Sequence, residues 1–224
     1  VSTLAERLFA EAFEAEVLGV AEEYPDTATW SAAGRGKNKA HPQGEDGDWW
    51  RTNGPLMVAN WVKWRTDSGW KIWTTPDGVP AIELEITVPR SGGTPLRAII
   101  DRVMINPQYN EPVILDVKSG ARTPESDLQL GVYKYAIFRQ YGIDIRRGTY
   151  WLARKGEIMP PFNLARLTPR LIDLWYDRFE LAASLGIFIP RPTVRCRACS
   201  YREYCTAFGG RKQHMDPDYA KGDK

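Results

Sequence analysis

Ile82, Leu84, Ile86 and Val88 alternate with Ala81, Glu83, Glu85 and Thr87, the period of a strand with one buried face. Residues 96–105 and 112–118 follow as two further strand segments, each rich in Ile and Val. Arg90-Ser91-Gly92-Gly93 and Asn106-Pro107 supply turn chemistry between them, so the three predict a meander.

Helical spacing surrounds this block. Leu4, Leu8, Ala12, Val17 and Leu18, with Phe9 and Phe13 beside them, predict a helix over 3–23 that ends at Tyr24-Pro25. Residues 26–54 have no clean period and read as a long loop or lid, with Arg35, Lys37 and Lys39 open to either solvent or phosphate. Asn53 and Pro55 are helix-start chemistry for a second helix to about residue 66. Thr123 as N-cap and Pro124 as first helical residue predict a third, to about Gln140 with Gly142 as its stop. Gly148–Arg154 reads as a strand. Thr168-Pro169 starts a last helix whose Leu171, Ile172, Trp175, Phe179 and Leu181 fit core packing before Gly186. The order predicts one α/β domain over 1–224 with a central mixed sheet flanked by helices; no Gly-x-Gly-x-x-Gly or P-loop follows any strand.

The chain has 224 residues, 43% of them hydrophobic, enough for one such core, and its formal charge of +2 points to no particular partner. Locally, residues 190–224 form a basic tail in which Arg191, Arg195, Arg197, Arg202, Arg211 and Lys212 offer either phosphate contacts or a solvated end. No run of 18 apolar residues and no signal peptide is present, which predicts a cytoplasmic protein without a membrane partner. The first residue is Val1 rather than methionine, which leaves room for a site residue upstream.

Asp116-Val117-Lys118 ends the third strand segment, fifteen residues after Asp101. Residues two apart on a strand share a face. Asp101 and Asp116 are the candidate carboxylate ligands for Mg²⁺ or Mn²⁺, the Val117 carbonyl is a further hard donor, and Lys118 is a cation for charge building on phosphorus. Gln129 and Tyr133, one helical turn apart, either brace Lys118 or are an ordinary surface and half-buried pair. Arg102 has two readings, an ion pair or a DNA contact, and Glu83 and Glu85 are solvated strand acids before they are ligands.

L-R-A-I-I-D-R-V, V-I-L-D-V-K-S-G and Q-L-G-V-Y together resemble the core of the PD-(D/E)xK nuclease superfamily in its RecB-like, Cas4-like and AddB-like exonuclease branch. The resemblance implies a restriction-endonuclease-like core in which Asp101 and Asp116 hold the metal, Lys118 serves catalysis, and Gln129 and Tyr133 help organise the site. It also implies a histidine or glutamate ligand from an N-terminal helix, preceded by a cysteine. Neither is clear here: His41 lies in the loop, and Glu11, Glu14 and Glu16 lack the local pattern, which places the expected ligand upstream of Val1. Ala98 stands where a glycine is common.

Cys196, Cys199 and Cys205 resemble the C-terminal part of the [4Fe-4S] site of the same nucleases, whose fourth cysteine comes from near the N-terminus and is absent here. Three thiolates need another ligand to hold a cluster or zinc, and His214 is a distant alternative. The resulting expectation is a metal-dependent DNA exonuclease acting at DNA ends, with any unwinding supplied by a helicase or recombination partner. Its rival is a weakly active or inactive DNA-binding or scaffold subunit with the same fold.

Overall fold

The computed structural model describes residues 2–26, 44–90, 93–120 and 126–187, with the isolated residues 124, 190, 192, 196, 199, 202, 205 and 207. Arg35, Lys37, Lys39, His41, Thr123, Arg191, Arg195, Arg197, Arg211, Lys212 and His214 lie outside the described residues. In chain order the elements are α1 (Ser2–Glu23), α2 (Gly47–Asp67), β1 (Lys71–Ile72), β2 (Ile82–Arg90), β3 (Gly93–Asn106), β4 (Glu111–Lys118), α3 (Leu128–Tyr141), β5 (Arg147–Leu152), β6 (Glu157–Ile158), β7 (Phe162–Asn163) and α4 (Pro169–Ser184).

The described chain clusters into two units: residues 1–88 with 95–168, and residues 89–94 with 169–224. The first holds the sheet, in the order β1-β3-β4-β5-β6, with β2 also on β3 and β7 also on β5. β2, β3 and β4 form the expected meander. β3 and β4 are antiparallel, whereas β4 and β5 are parallel and α3 is their crossover, the connection that parallel neighbours require. The sheet is therefore mixed and the class α/β.

One face of the sheet packs on a tryptophan-rich layer. Met57, Met104, Leu115, Trp151 and Ala153 are buried together, with Trp49, Trp50, Trp61, Trp64, Trp70 and Val117 against them. Trp64 and Trp151 lie 4.8 Å apart and Trp61 and Trp151 5.5 Å apart, within range of favourable ring contact. Burying one tryptophan removes roughly 150–250 Å² from water, worth about 4–6 kcal/mol before chain entropy. α3 buries Leu130, Gly131, Tyr133, Lys134, Tyr135, Ala136 and Ile137.

Several boundaries differ from the sequence reading for identifiable reasons. α2 begins at Gly47, because Asp46 caps it by accepting the Trp49 N–H at 3.0 Å; Asn53 and Pro55 are interior, and residues 47–54 are helix rather than loop. α3 begins at Leu128, not Pro124. There the Leu128 N–H donates to Ser126 Oγ at 3.1 Å, and the first helical bond runs from Gly131 N to Asp127 O at 2.9 Å. Its end is as expected, with Gly142 in the left-handed region at φ 71°. β5 stops at Leu152 because residues 153–156 turn, with Gly156 at φ 68°.

Two apolar stripes also shift. Glu83 has φ 47°, a kink that turns Ala81 inward and leaves Ile82 46% exposed, so only Leu84, Ile86 and Val88 keep the expected face. On α1, Leu4, Leu8, Ala12 and Leu18 are exposed, and of the residues expected to face the core Phe9, Phe13 and Val17 are half-buried. Phe9 meets Gly54 of α2, and Arg51 reaches Glu14 at 2.7 Å.

In the second unit, α4 starts at Pro169 as expected, but only Ile172 of its expected core residues is buried; Trp175, Phe179 and Leu181 are exposed. The inward side is polar because Arg90, 1% exposed in its side chain, lies over the Tyr176 ring and draws in Asp173, Asp177 and Glu180. Glu180 also accepts the Thr94 N–H at 2.9 Å, which lowers its pKa. No helix among the described residues is long and apolar enough to cross a membrane.

Candidate active site

The β3–β4 register sets the first part of the site. Arg102 pairs with Leu115 as the last bonded step, and one step further brings Asp101 opposite Asp116, on a shared face. Backbone pairing ends there because the Asp101 side chain takes over: its Oδ2 accepts the Val117 N–H at 2.8 Å. Lys118, two residues beyond Asp116, projects from the same face.

α3 completes the group. Lys118 Nζ lies 2.6 Å from Asp116 Oδ2 and donates to Gln129 Oε1 at 2.8 Å. Gln129 Nε2 donates to the Tyr133 hydroxyl at 2.8 Å, and that hydroxyl faces Asp116 Oδ1 at 3.5 Å. The four side chains close a ring, Asp116–Lys118–Gln129–Tyr133, and Asp101 stands beside it. All five predicted site residues therefore meet in one place.

Burial differs sharply around the ring. The Asp116 side chain is 1% exposed and that of Lys118 30%. Desolvation pushes the Asp116 carboxyl above the usual range, and the Asp101 charge adds to it, while Lys118 and Tyr133 pull the other way. Burial, with help from the Asp116 charge, pushes Tyr133 up to about 12, so its hydroxyl stays protonated. A cation beside this buried carboxylate would favour its ionised form.

Two further groups support this corner, and nothing in the sequence pattern had marked them. Tyr150 on β5 pairs in parallel register with Asp116; its ring lies 5.6 Å from Lys118 Nζ, and its hydroxyl donates to Ser126 O at 2.8 Å. Arg154 donates through Nε to Ser119 O at 2.6 Å, just past Lys118, and forms a two-pronged pair with Glu45 at 2.7 Å on both arms. Its guanidinium lies over Trp49 at 4.5 Å and Trp50 at 5.6 Å. Glu45 was hidden inside an aperiodic stretch; the Asp46-Gly47 start of α2 was the signal that could have exposed it.

The remaining candidates fall elsewhere. Arg102 takes the ion-pair reading: it donates to Glu83 at 3.2 Å and to Asp101 O at 2.7 Å, and lies over Trp61. Glu85 pairs with Arg97 at 2.7 Å, away from any ligand role. Cys196, Cys199 and Cys205 form no disulfide and are linked through successive backbone bonds, Cys199 N to Cys196 O, Arg202 N to Cys199 O and Cys205 N to Arg202 O.

The carboxylates of the site fit an implied divalent metal. Magnesium is ordinarily held by one or two carboxylates together with waters and substrate phosphates, which Asp101 and Asp116 can provide. Among the described residues, no group of three or more His, Cys, Asp or Glu side chains is arranged to hold a metal.

A "Gene 69 protein" of Mycobacterium phage D29 is 30% identical over 182 residues, covering 72% of this chain and 66% of that protein, so the chain spans just under two thirds of that relative's length. A "Gene 69 protein" of Mycobacterium phage L5 is 28% identical over 201 residues, covering 72% of this chain and 68% of that protein. A profile of the PD-(D/E)XK nuclease superfamily matches residues 3–206, a span that takes in both strands and the helix that meet at Asp116. The chain belongs to the PD-(D/E)XK nuclease superfamily.

Proposed function

We propose that the chain is a divalent-metal-dependent deoxyribonuclease of the RecB-like and Cas4-like branch, hydrolysing phosphodiester bonds at DNA ends as an exonuclease. The observation that carries the reading is the ring Asp116–Lys118–Gln129–Tyr133 with Asp101 beside it. Asp101 and Asp116 would hold Mg²⁺ or Mn²⁺, which supplies charge neutralisation at the phosphate and activation of a water nucleophile.

The rest is work for the chain's own side chains. Lys118, fixed by Asp116 and Gln129, presents a cation where negative charge builds on the phosphate oxygens. Gln129 orients that ammonium, and Tyr133 orients Gln129 while keeping its own proton on the Asp116 side. Val117 contributes its N–H to Asp101 and so holds the first carboxylate in place. Arg202 is a candidate DNA contact in the basic tail, and unwinding of duplex substrate falls to a helicase or recombination partner.

The experiment is Mn²⁺-dependent digestion of end-labelled single-stranded, duplex and closed circular DNA by the chain and by Lys118→Ala. Cleavage of linear DNA alone, lowered by roughly 10²–10³ in the variant, supports the reading; cutting of circles would replace exonuclease by endonuclease. The rival, a DNA-binding subunit that cleaves weakly or not at all, draws on the presence of only two converging carboxylates among the described residues. DNA binding at low salt, no cleavage and no calorimetric Mn²⁺ binding sensitive to Asp116→Asn would establish it.

A further inference from the structure

Lys118 is partly exposed, at 30% of its side chain, and Gln129 is exposed, whereas Asp116 and Tyr133 are buried. A lysine on a flexible four-carbon stem loses much rotamer freedom when it is held in a single geometry. Two of its partners are plain: Asp116 Oδ2 at 2.6 Å and Gln129 Oε1 at 2.8 Å. A third contact comes from below. The face of the Tyr150 ring lies 5.6 Å from Nζ, inside the range of a cation–π interaction.

Tyr150 is itself firmly held. It is 1% exposed, sits beside Asp116 in the parallel β4–β5 register, and makes a T-shaped contact with Phe162 at 5.8 Å between ring centres. Its hydroxyl reaches Ser126 O at 2.8 Å, and Ser126 Oγ in turn accepts the Leu128 N–H at the start of α3. Gln129, the other neutral partner of Lys118, is the next residue of that helix. A single side chain thus touches the lysine by its ring and fixes the start of the lysine's hydrogen-bond partner by its hydroxyl.

We infer that Tyr150 is a positioning residue for Lys118: its ring face holds the ammonium over the phosphate site, and its hydroxyl sets the α3 start that brings Gln129 to the same ammonium. The inference rests on the nuclease reading for its catalytic consequence but not for its geometry. The two parts of the side chain separate cleanly, since Tyr150→Phe keeps the ring and loses only the bond to Ser126, whereas Tyr150→Leu loses both.

The test has two arms on the full chain. In the first, metal-free protein is treated with an amine-acylating reagent and each lysine is followed by mass spectrometry. Lys118 should be labelled several-fold faster in Tyr150→Leu than in the wild type, with Tyr150→Phe, which loses only the Ser126 bond, between the two, and with Lys63 and Lys155 unchanged as controls for folding. In the second, Mn²⁺-supported DNA cleavage should lose roughly tenfold in kcat in Tyr150→Leu at unchanged KM, and less than about threefold in Tyr150→Phe. Equal Lys118 labelling in all three proteins, or a kcat loss as large in the Phe variant as in the Leu variant, would overturn the inference. If the wild type cleaves no DNA, the proposed function fails and the labelling arm alone decides about Tyr150. Tyr150→Met takes the place of the Leu variant if that protein does not fold.

Discussion

Asp101 Oδ2 accepts the Val117 backbone N–H at 2.8 Å, at the step where β3 and β4 stop pairing. One carboxylate therefore both finishes the ladder and faces the site. Asparagine offers the same acceptor without the charge, so Asp101→Asn should melt within a few degrees of the wild type and lose about 100-fold or more of Mn²⁺-dependent cleavage. Asp101→Ala leaves the Val117 N–H without this partner and should cost about 1–3 kcal/mol as well. Thermal denaturation beside DNA digestion separates the two roles.

Asp116 makes stability depend on pH. Burial raises its native pKa, so the folded metal-free protein holds this proton more tightly than the unfolded chain does. Its contribution is fully present below the ordinary aspartate pKa of about 3.9 and is lost as pH rises through the raised native value. Melting temperatures of metal-free protein between about pH 4 and 7 should thus fall in the wild type relative to Asp116→Asn. Parallel curves for the two proteins would remove this carboxyl from the account.

The Glu45–Arg154 pair predicts a large loss on one-sided removal, because the Glu45 side chain is 2% exposed. Arg154→Ala leaves that carboxylate buried without the guanidinium and should cost about 3–5 kcal/mol in urea denaturation. Arg154→Lys keeps a charge but cannot form the two-pronged pair and also reach Ser119, so it should fall between. Both should lower cleavage beyond their effect on the folded fraction, since Ser119 directly follows Lys118.

Gly54 is where α1 meets α2. An added methyl would lie 2.1 Å from Phe9 Cε1 and Cζ. The gain in helix propensity from Gly54→Ala, about 1 kcal/mol, opposes an overpacking cost of about 1–3 kcal/mol, and a net destabilisation is expected. Shortening Phe9 to Ala in the same chain should relieve the clash, giving a favourable coupling in a double-mutant cycle.

The sequence carried the site better than it carried the helices. The D-V-K ending put Asp116 and Lys118 on one strand face and the i, i+4 spacing put Gln129 and Tyr133 on one helix face, while the family resemblance supplied Asp101 and joined the two pairs. Cap chemistry misled twice, because Asn53-Pro55 and Thr123-Pro124 look as much like helix starts as Asp46-Gly47 and Ser126-Asp127 do. Tertiary partners chose between them: the tryptophan layer draws α2 back to Gly47, and Tyr150 holds Ser126 outside α3. On α4 the apolar residues promised a core face, but the buried Arg90 recruits carboxylates that no hydrophobic pattern encodes. Tyr150 and Arg154 stayed silent for the same reason, since their importance lies in what they touch.

The parallel pairing of β4 with β5 through α3 has a consequence for how the protein is born. The strand carrying Asp116 and Lys118 leaves the ribosome ahead of the helix and strand that restrain them, and synthesis proceeds at about 5–20 residues per second. For that interval the acid and the lysine are present without their frame. The ring around Lys118 can therefore close only once the crossover has docked, and not as its own strand is made.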